Sequence, residues 1–219
     1  MVMERATQLE STRVTHILRE DIIFGRRLPG SRLVERDIAA ELRVSRLPVR
    51  EAIRALVSEG IVVATPRTWA VVRTFSRQDL QDFAQVREAM ETLAFELATE
   101  RAGPSGLRLL GSIVDEEAAA AAAGDVDASR AASAKFHLTA VQLANNAMLS
   151  ELAESLVTRL RWLFGQHDHL PEMAAAHREI LAAMGRGDVD GIRQLIPAHL
   201  AEGRIAAEKR LFGDVDDVG

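Results

Sequence analysis

No cysteine occurs in the 219 residues of this chain. That excludes a disulfide framework and any thiolate metal site. No apolar run reaches membrane-spanning length, and the start of the chain carries no signal-peptide pattern. A cytoplasmic location without a membrane partner is therefore expected. Lysine is nearly missing: 2 of the 27 basic residues are Lys and the rest are Arg, a composition that suggests a GC-rich genome. Beyond residue 74 no segment has the character of a β-strand, and no internal repeat is evident. The net charge of −5 argues at first against a nucleic-acid partner. It is unevenly divided. Residues 1–73 hold 13 arginines against 9 carboxylates, net +4, and residues 74–219 hold 14 basic against 23 acidic residues, net −9. A basic head on an acidic body directs DNA to one end of the molecule.

Residues 33–57 carry the clearest pattern in that head. Val34, Ile38 and Leu42 recur at helical spacing, and Arg43-Val44-Ser45 reads as a turn. Ser45 is a good N-cap for a second helix, and Pro48 falls in that helix's first turn, where a missing amide hydrogen costs little. Val49, Ile53 and Leu56 form a buried stripe, while Arg46, Arg50 and Arg54 recur every four residues on another face. Such a helix suits a major groove, where Arg reaches guanine edges and phosphates. The alternative is a merely solvated arginine face. Val62–Ala64 and Ala70–Val72 are β-prone runs flanking the loop Thr65-Pro66-Arg67-Thr68-Trp69, which reads as a hairpin. Upstream, 15–24 is an amphipathic helix offering Ile17, Leu18, Ile22 and Phe24 to a small core. Helix, turn, helix and hairpin together make a winged helix-turn-helix.

The second region reads as six helices, at about 76–101, 104–123, 125–146, 148–166, 170–185 and 188–212. Gly103-Pro104, Gly124-Asp125, Asn145-Asn146, Pro171 and Gly187-Asp188 separate them. Ser76 and Asp79 form a capping pair at the first of these helices, and a boundary is expected near 74. The fold class expected is mainly α. A winged helix-turn-helix with a small hairpin wing spans 1–74, and an all-α antiparallel six-helix bundle spans 75–219. Five of the six histidines lie after residue 136. His137, His177 and His199 each share a helical face with apolar residues and so point inward from three different helices. Inward histidines are commonly satisfied core residues, but three converging imidazoles are also what a divalent metal needs. His167 and His169, flanking Asp168 before Pro171, read as exposed. Trp162 and Phe164 read as bundle packing. Arg87 and Glu91 stand one turn apart, either as a surface ion pair or with Arg87 free to fork onto a carboxylate.

The motifs LPG (28–30), LVERDIA (33–39), VSR-x-PVREA (44–52) and L-x-x-EG (56–60) resemble, in that order, the N-terminal domain of GntR-family transcription regulators. That resemblance implies binding to a double-stranded DNA operator through Arg36, Ser45, Arg46, Leu47, Arg50 and the wing residue Arg67. Arg43, Leu47 and Trp69 depart from the family's usual glycine, threonine and glycine. A left-handed Arg43 would cost about 1 kcal/mol. Leu47 near the base edges would meet a thymine methyl, and Trp69 reads as a hydrophobic clasp. These departures bear on which operator is bound. VREAMETLA (86–94), FH (136–137), AHREIL (176–181), GD-x-D (187–190) and AHL (198–200) are similar to the FCD ligand-binding domain of the FadR branch, in its six-helix, VanR-like form. The resemblance implies a homodimer and a small carboxylate effector facing Arg87 and Ser133. It also implies a metal on His137, His177 and His199, expected to be zinc, with nickel or manganese as alternatives. Ser133 stands where the family has a ligating aspartate, so the site would be three histidines plus water or effector, or a pocket without metal. A ligand-responsive repressor acting on a palindromic operator is the expected function, not an enzyme. The rivals are a metal-dependent enzyme using three histidines to activate water, and a ligand-free dimerisation body behind the DNA-binding head.

Overall fold

The computed structural model describes residues 2–64, 69–166 and 168–213. Its contacts divide the chain into two units, Met1–Phe75 and Ser76–Gly219.

The first unit contains α1 (Val2–Ile23), β1 (Arg32–Leu33), α2 (Glu35–Leu42), α3 (Arg46–Ser58), β2 (Val62–Ala64) and β3 (Ala70–Val72). Its core is small and aliphatic: Val14, Leu18 and Ile22 of α1 are buried with Ile38, Val49, Ile53, Leu56 and Val72. Phe24, offered to this core by the sequence pattern, is instead exposed just beyond the end of α1. The α1 helix also starts well before residue 15. The bidentate pairing of Arg19 with Glu59 (2.7 and 2.6 Å) ties α1 to the end of α3. The wing has one strand more than the expected hairpin: the sheet is antiparallel in the order β1-β3-β2, with Arg32 opposite Val71 and Leu33 opposite Ala70. Two residues carry no alternation, so β1 leaves no trace in the sequence pattern.

Arg43 closes α2 at φ 55°, ψ 48°, the left-handed conformation expected of it. Ser45 sits at the N-cap of α3 with extended backbone, but its hydroxyl makes no capping hydrogen bond, contrary to expectation. Pro48 falls within the first turn of α3 and needs no amide partner there.

The second unit is the all-α bundle: α4 (Arg77–Arg101), α5 (Gly103–Ala123), α6 (Val126–Leu143), α7 (Ala147–Phe164), α8 (Leu170–Gly185) and α9 (Val189–Phe212). Local chemistry explains the breaks. Ser76 and Asp79 cap α4 reciprocally, the Asp79 amide donating to Ser76 Oγ (3.1 Å) and the Ser76 amide to Asp79 Oδ2 (2.8 Å). Asp125, Asn146 and Asp188 accept from the first free amides of α6, α7 and α9. Gly124 and Asn145 supply the left-handed turns between helices. Helix α5 packs on α6 and α8, and α4 on α6 and α9. Phe95, Leu110, Ile113, Phe136, Ile180, Met184, Ile192 and Ile196 fill the space between them. Burial of this kind contributes roughly 1.5–3 kcal/mol per large side chain. No described helix is long and apolar enough to cross a membrane.

Candidate functional site

Two places in the molecule gather the residues that the sequence singles out. The first is the outer face of α3. Val49, Ile53 and Leu56 are turned into the core, which leaves Arg46, Arg50 and Arg54 exposed together with Leu47, at 51 % of its full surface. The arginines are not all open. Glu35, at the start of α2, holds Arg50 by two edges, Nε to Oε1 at 3.0 Å and Nη2 to Oε2 at 2.9 Å. Arg50, then Arg46 and Arg54, keep the Glu35 carboxyl below its ordinary range. Arg54 pairs with Glu51 (2.8 Å) and Arg36 with Asp37 (2.9 Å). These partners are solvated, so a phosphate or a guanine edge can take their place at little cost. Trp69 is half exposed and stacks under the Arg32 guanidinium at 4.6 Å, which makes it a clasp between β1 and the wing loop. Arg67 lies outside the described residues.

The second place is a chamber in the bundle. The His137 ring of α6, His177 of α8 and His199 of α9 bring their Nε2 atoms to 3.2 Å (137 to 177), 3.2 Å (177 to 199) and 3.3 Å (137 to 199). His177 is completely buried and His199 nearly so. Among the described residues this is the group of His, Cys, Asp or Glu that converges on one point with ligand spacing. A triangle of like nitrogens is frustrated. Each Nε2 either carries a proton or offers a lone pair, so at least two of the three must be alike and repel. A shared cation resolves this. Around a tetrahedral ion with bonds of about 2.0–2.1 Å, nitrogens stand about 3.3 Å apart. The residues present fit a divalent metal.

Two carboxylates stand behind the rings. His177 Nδ1 lies 2.7 Å from Glu117 Oε2, and His137 Nδ1 lies 2.7 Å from Glu91 Oε2. Both carboxylates are buried. When ionised, a carboxylate so placed only accepts, and it favours the tautomer with the proton on Nδ1 and the lone pair of Nε2 turned to the centre. Glu91 also accepts from Arg87 Nε at 2.7 Å. Burial pushes the Glu91 carboxyl up, but Arg87 and His137 overcome it and hold the group well below the usual carboxylate range. Glu117 has no such cation among the described residues, and although the Ser133 hydroxyl pulls the other way, burial pushes its carboxyl up to about 8, so at neutral pH it ionises only when positive charge at the three Nε2 atoms offsets that burial. Neither glutamate was legible as part of the site. The available signal was the apolar stripe Leu110, Ile113 and Val114 on α5, which runs into Glu117 at helical spacing.

Arg87 and Glu91 are not a surface pair. Their side chains retain 11 % and 4 % of their accessible surface. The Arg87 guanidinium lies over the Phe164 ring at 4.9 Å and faces a cavity of about 70 Å³. Ser133, His137 and His199 line the same cavity, with Met90, Leu138, Val141, Leu160, Phe164 and Met173 as its apolar wall. Phe164 is therefore both bundle packing, as expected, and cavity wall, and Trp162 is buried beside it in α7. Ser133 reaches the cavity, but its hydroxyl is engaged by Glu117. Next to the cavity, Arg210 donates to the Trp162 and Leu163 carbonyls in the last turn of α7 (2.8 and 2.9 Å), and Arg130 to Asp168 beyond it (2.6 Å). His169 is exposed, and His167 lies outside the described residues. Water activation by three histidines would need a nearby base, and both carboxylates of the chamber are turned to Nδ1 atoms instead.

Comparison with known proteins agrees with this division. Residues 10–72 match the model of bacterial regulatory proteins of the gntR family, and residues 82–202 match the FCD domain. The chain is 26 % identical over 200 residues to the HTH-type transcriptional repressor RspR of Escherichia coli, covering 90 % of this chain and 88 % of that one. It superposes on E. coli McbR/YncC with a TM-score of 0.77 at 24 % identity, covering 92 % of this chain and 98 % of the other. A GntR transcriptional regulator of Rhodococcus sp. RHA1 superposes with a TM-score of 0.72 at 27 % identity, covering 90 % and 96 %.

Proposed function

Because this chain belongs to the GntR family of bacterial regulatory proteins and carries an FCD domain, we propose that it is a carboxylate-sensing repressor whose effector site is anchored on a three-histidine metal centre. That it is a DNA-binding transcription regulator follows from the family, and its relatives are regulators as well. The finer reading is carried by one observation: three Nε2 atoms within 3.3 Å of one another, on rings two of which, His137 and His199, line with Arg87 a cavity that has an apolar wall.

His137, His177 and His199 would hold the ion, with zinc favoured by the all-nitrogen donor set and nickel or manganese as alternatives. When bound, it would supply positive charge and an open coordination position for a carboxylate oxygen. Arg87 gives the effector a second anchor, since its Nε is committed to Glu91 and its terminal amines can fork onto a carboxylate. The apolar wall excludes water from that contact, which strengthens it.

At the other unit, Arg46 and Arg50 reach base edges or phosphates, Leu47 reads a thymine methyl, Ser45 and Arg36 contact the backbone, and Arg67 extends the contact from the wing. The protein acts as a homodimer of the FadR branch on a palindromic operator, with half-sites about one helical turn apart. Effector binding weakens DNA binding, and by linkage DNA weakens effector binding by the same factor.

Metal analysis of tag-free protein beside a His137→Ala control tests the anchor, followed by DNA binding with and without added carboxylates. About one metal per chain, absent from the control, and a carboxylate that lowers DNA affinity only in the metal-loaded protein are the expected results. Carboxylate binding that is indifferent to metal would overturn the anchored reading and leave Arg87 as the recognition element.

A further inference from the structure

Glu117 is an anomaly in its own helix. It sits among alanines near the end of α5, after two exposed acidic neighbours, Asp115 and Glu116, yet it is completely buried. The stripe of Leu110, Ile113 and Val114 turns this one carboxylate inward. A carboxylate in an apolar interior is costly unless something compensates its charge. Glu91, its counterpart on α4, is compensated by Arg87. The contacts of Glu117 among the described residues are the His177 ring, Nδ1 to Oε2 at 2.7 Å, and the Ser133 hydroxyl. Beyond that ring, on the far nitrogen, lies the point where three Nε2 atoms meet.

We propose that Glu117 is the positioning carboxylate of the histidine chamber: it fixes His177 in the tautomer that offers Nε2 to a cation and balances part of that cation's charge through the ring. The Ser133 hydroxyl beside it favours the ionised form of the carboxyl. The inference rests on the metal-anchored reading and gives it a named requirement. It also explains how a chamber whose direct ligands are three neutral rings can hold a doubly charged ion: uncompensated negative charge stands one ring behind the donors, on Glu117, while that of Glu91 is already met by Arg87.

The test uses the full-length protein stripped of metal, with zinc alone as the probe. Zinc affinity is measured against a competing chromophoric chelator, and the proton of His177 is located by 15N NMR of its ring before zinc is added, at a pH above about 8, where the Glu117 carboxyl is ionised. Glu117→Gln keeps the shape of the side chain but can donate as well as accept. It should mix the His177 tautomers and weaken zinc by about 10–100-fold. Ser133→Ala leaves the carboxylate in place and should keep the Nδ1 proton with a smaller loss of affinity. Zinc affinity of Glu117→Gln within about twofold of wild type, or a wild-type His177 protonated on Nε2, would overturn the proposal. If Glu117→Gln does not fold, the wild-type tautomer and Ser133→Ala decide it alone. If the wild type takes up no zinc, the metal-anchored reading fails, and the tautomer measured in the same sample still decides whether Glu117 positions His177.

Discussion

Arg50–Glu35 on the outer face of α3 and Arg87–Glu91 beside the histidines are both arginine–glutamate pairs, but solvent makes them different devices. The first is wet, with the Arg50 side chain about half exposed; the second is almost dry. A solvated pair contributes about 0–1 kcal/mol and exchanges partners readily. It can hold Arg50 in an extended pose and give it up to DNA. A buried pair is fixed, because removing one member strands the other without water. The same two residue types therefore serve as a replaceable partner in one unit and as a fixed strut in the other, and burial alone decides which.

The comparison can be broken most forcefully at Arg87. Arg87→Ala should destabilise the bundle by about 3–5 kcal/mol, read by denaturant unfolding of the metal-free protein, and a loss below about 1 kcal/mol would mean that this pair behaves like a surface one. The same variant should change the response to acid. In the wild type Glu91 titrates well below its ordinary value of 4.5, so its contribution is present above that pH and is lost as the pH falls toward the depressed folded value. Without Arg87 the depression shrinks, so the pH-dependent loss should be smaller and should be complete at a higher pH. Next in size, Arg46→Ala or Arg50→Ala should cost about 1–3 kcal/mol of operator binding with no change in melting temperature. Unchanged affinity in a folded mutant would remove α3 as the reading helix. Arg43→Gly should stabilise the first unit by about 1 kcal/mol, by relieving the left-handed residue at φ 55°. Smallest, Glu35→Gln should alter folding stability by about 0.5 kcal/mol or less. Its effect on DNA binding should fade as salt is raised, whereas the Arg87→Ala destabilisation should not.

Much of this molecule was legible as local chemistry. The bundle helices follow from caps and breakers such as Ser76, Gly124 and Asn146, each of which acts within a turn or two of itself. The inward direction of His137, His177 and His199 follows from their apolar neighbours on one helical face. What sequence spacing does not contain is the far side of a contact. The stripe on α5 turns Glu117 rather than Asp115 or Glu116 inward, but that it meets a histidine sixty residues away depends on how α5 packs against α8. Glu91 is similar: a pair spaced i, i+4 looks the same in sequence whether it faces solvent or a cavity. Strand β1 is two residues long and exists only because β3 runs beside it. Ser45 shows the reverse, a residue ideal for its position whose hydroxyl forms no cap.

The triangle of Nε2 atoms has a consequence for heat as well as for recognition. Whatever occupies it binds the folded bundle and not the unfolded chain, so occupancy adds RT ln(1 + [L]/Kd) to stability. Well above Kd, each tenfold rise in free ion adds about 1.4 kcal/mol. With the proposed metal there, the melting point of the helical unit would be a logarithmic gauge of free metal, and a chain deprived of the ion would carry its three like nitrogens as a standing thermodynamic debt.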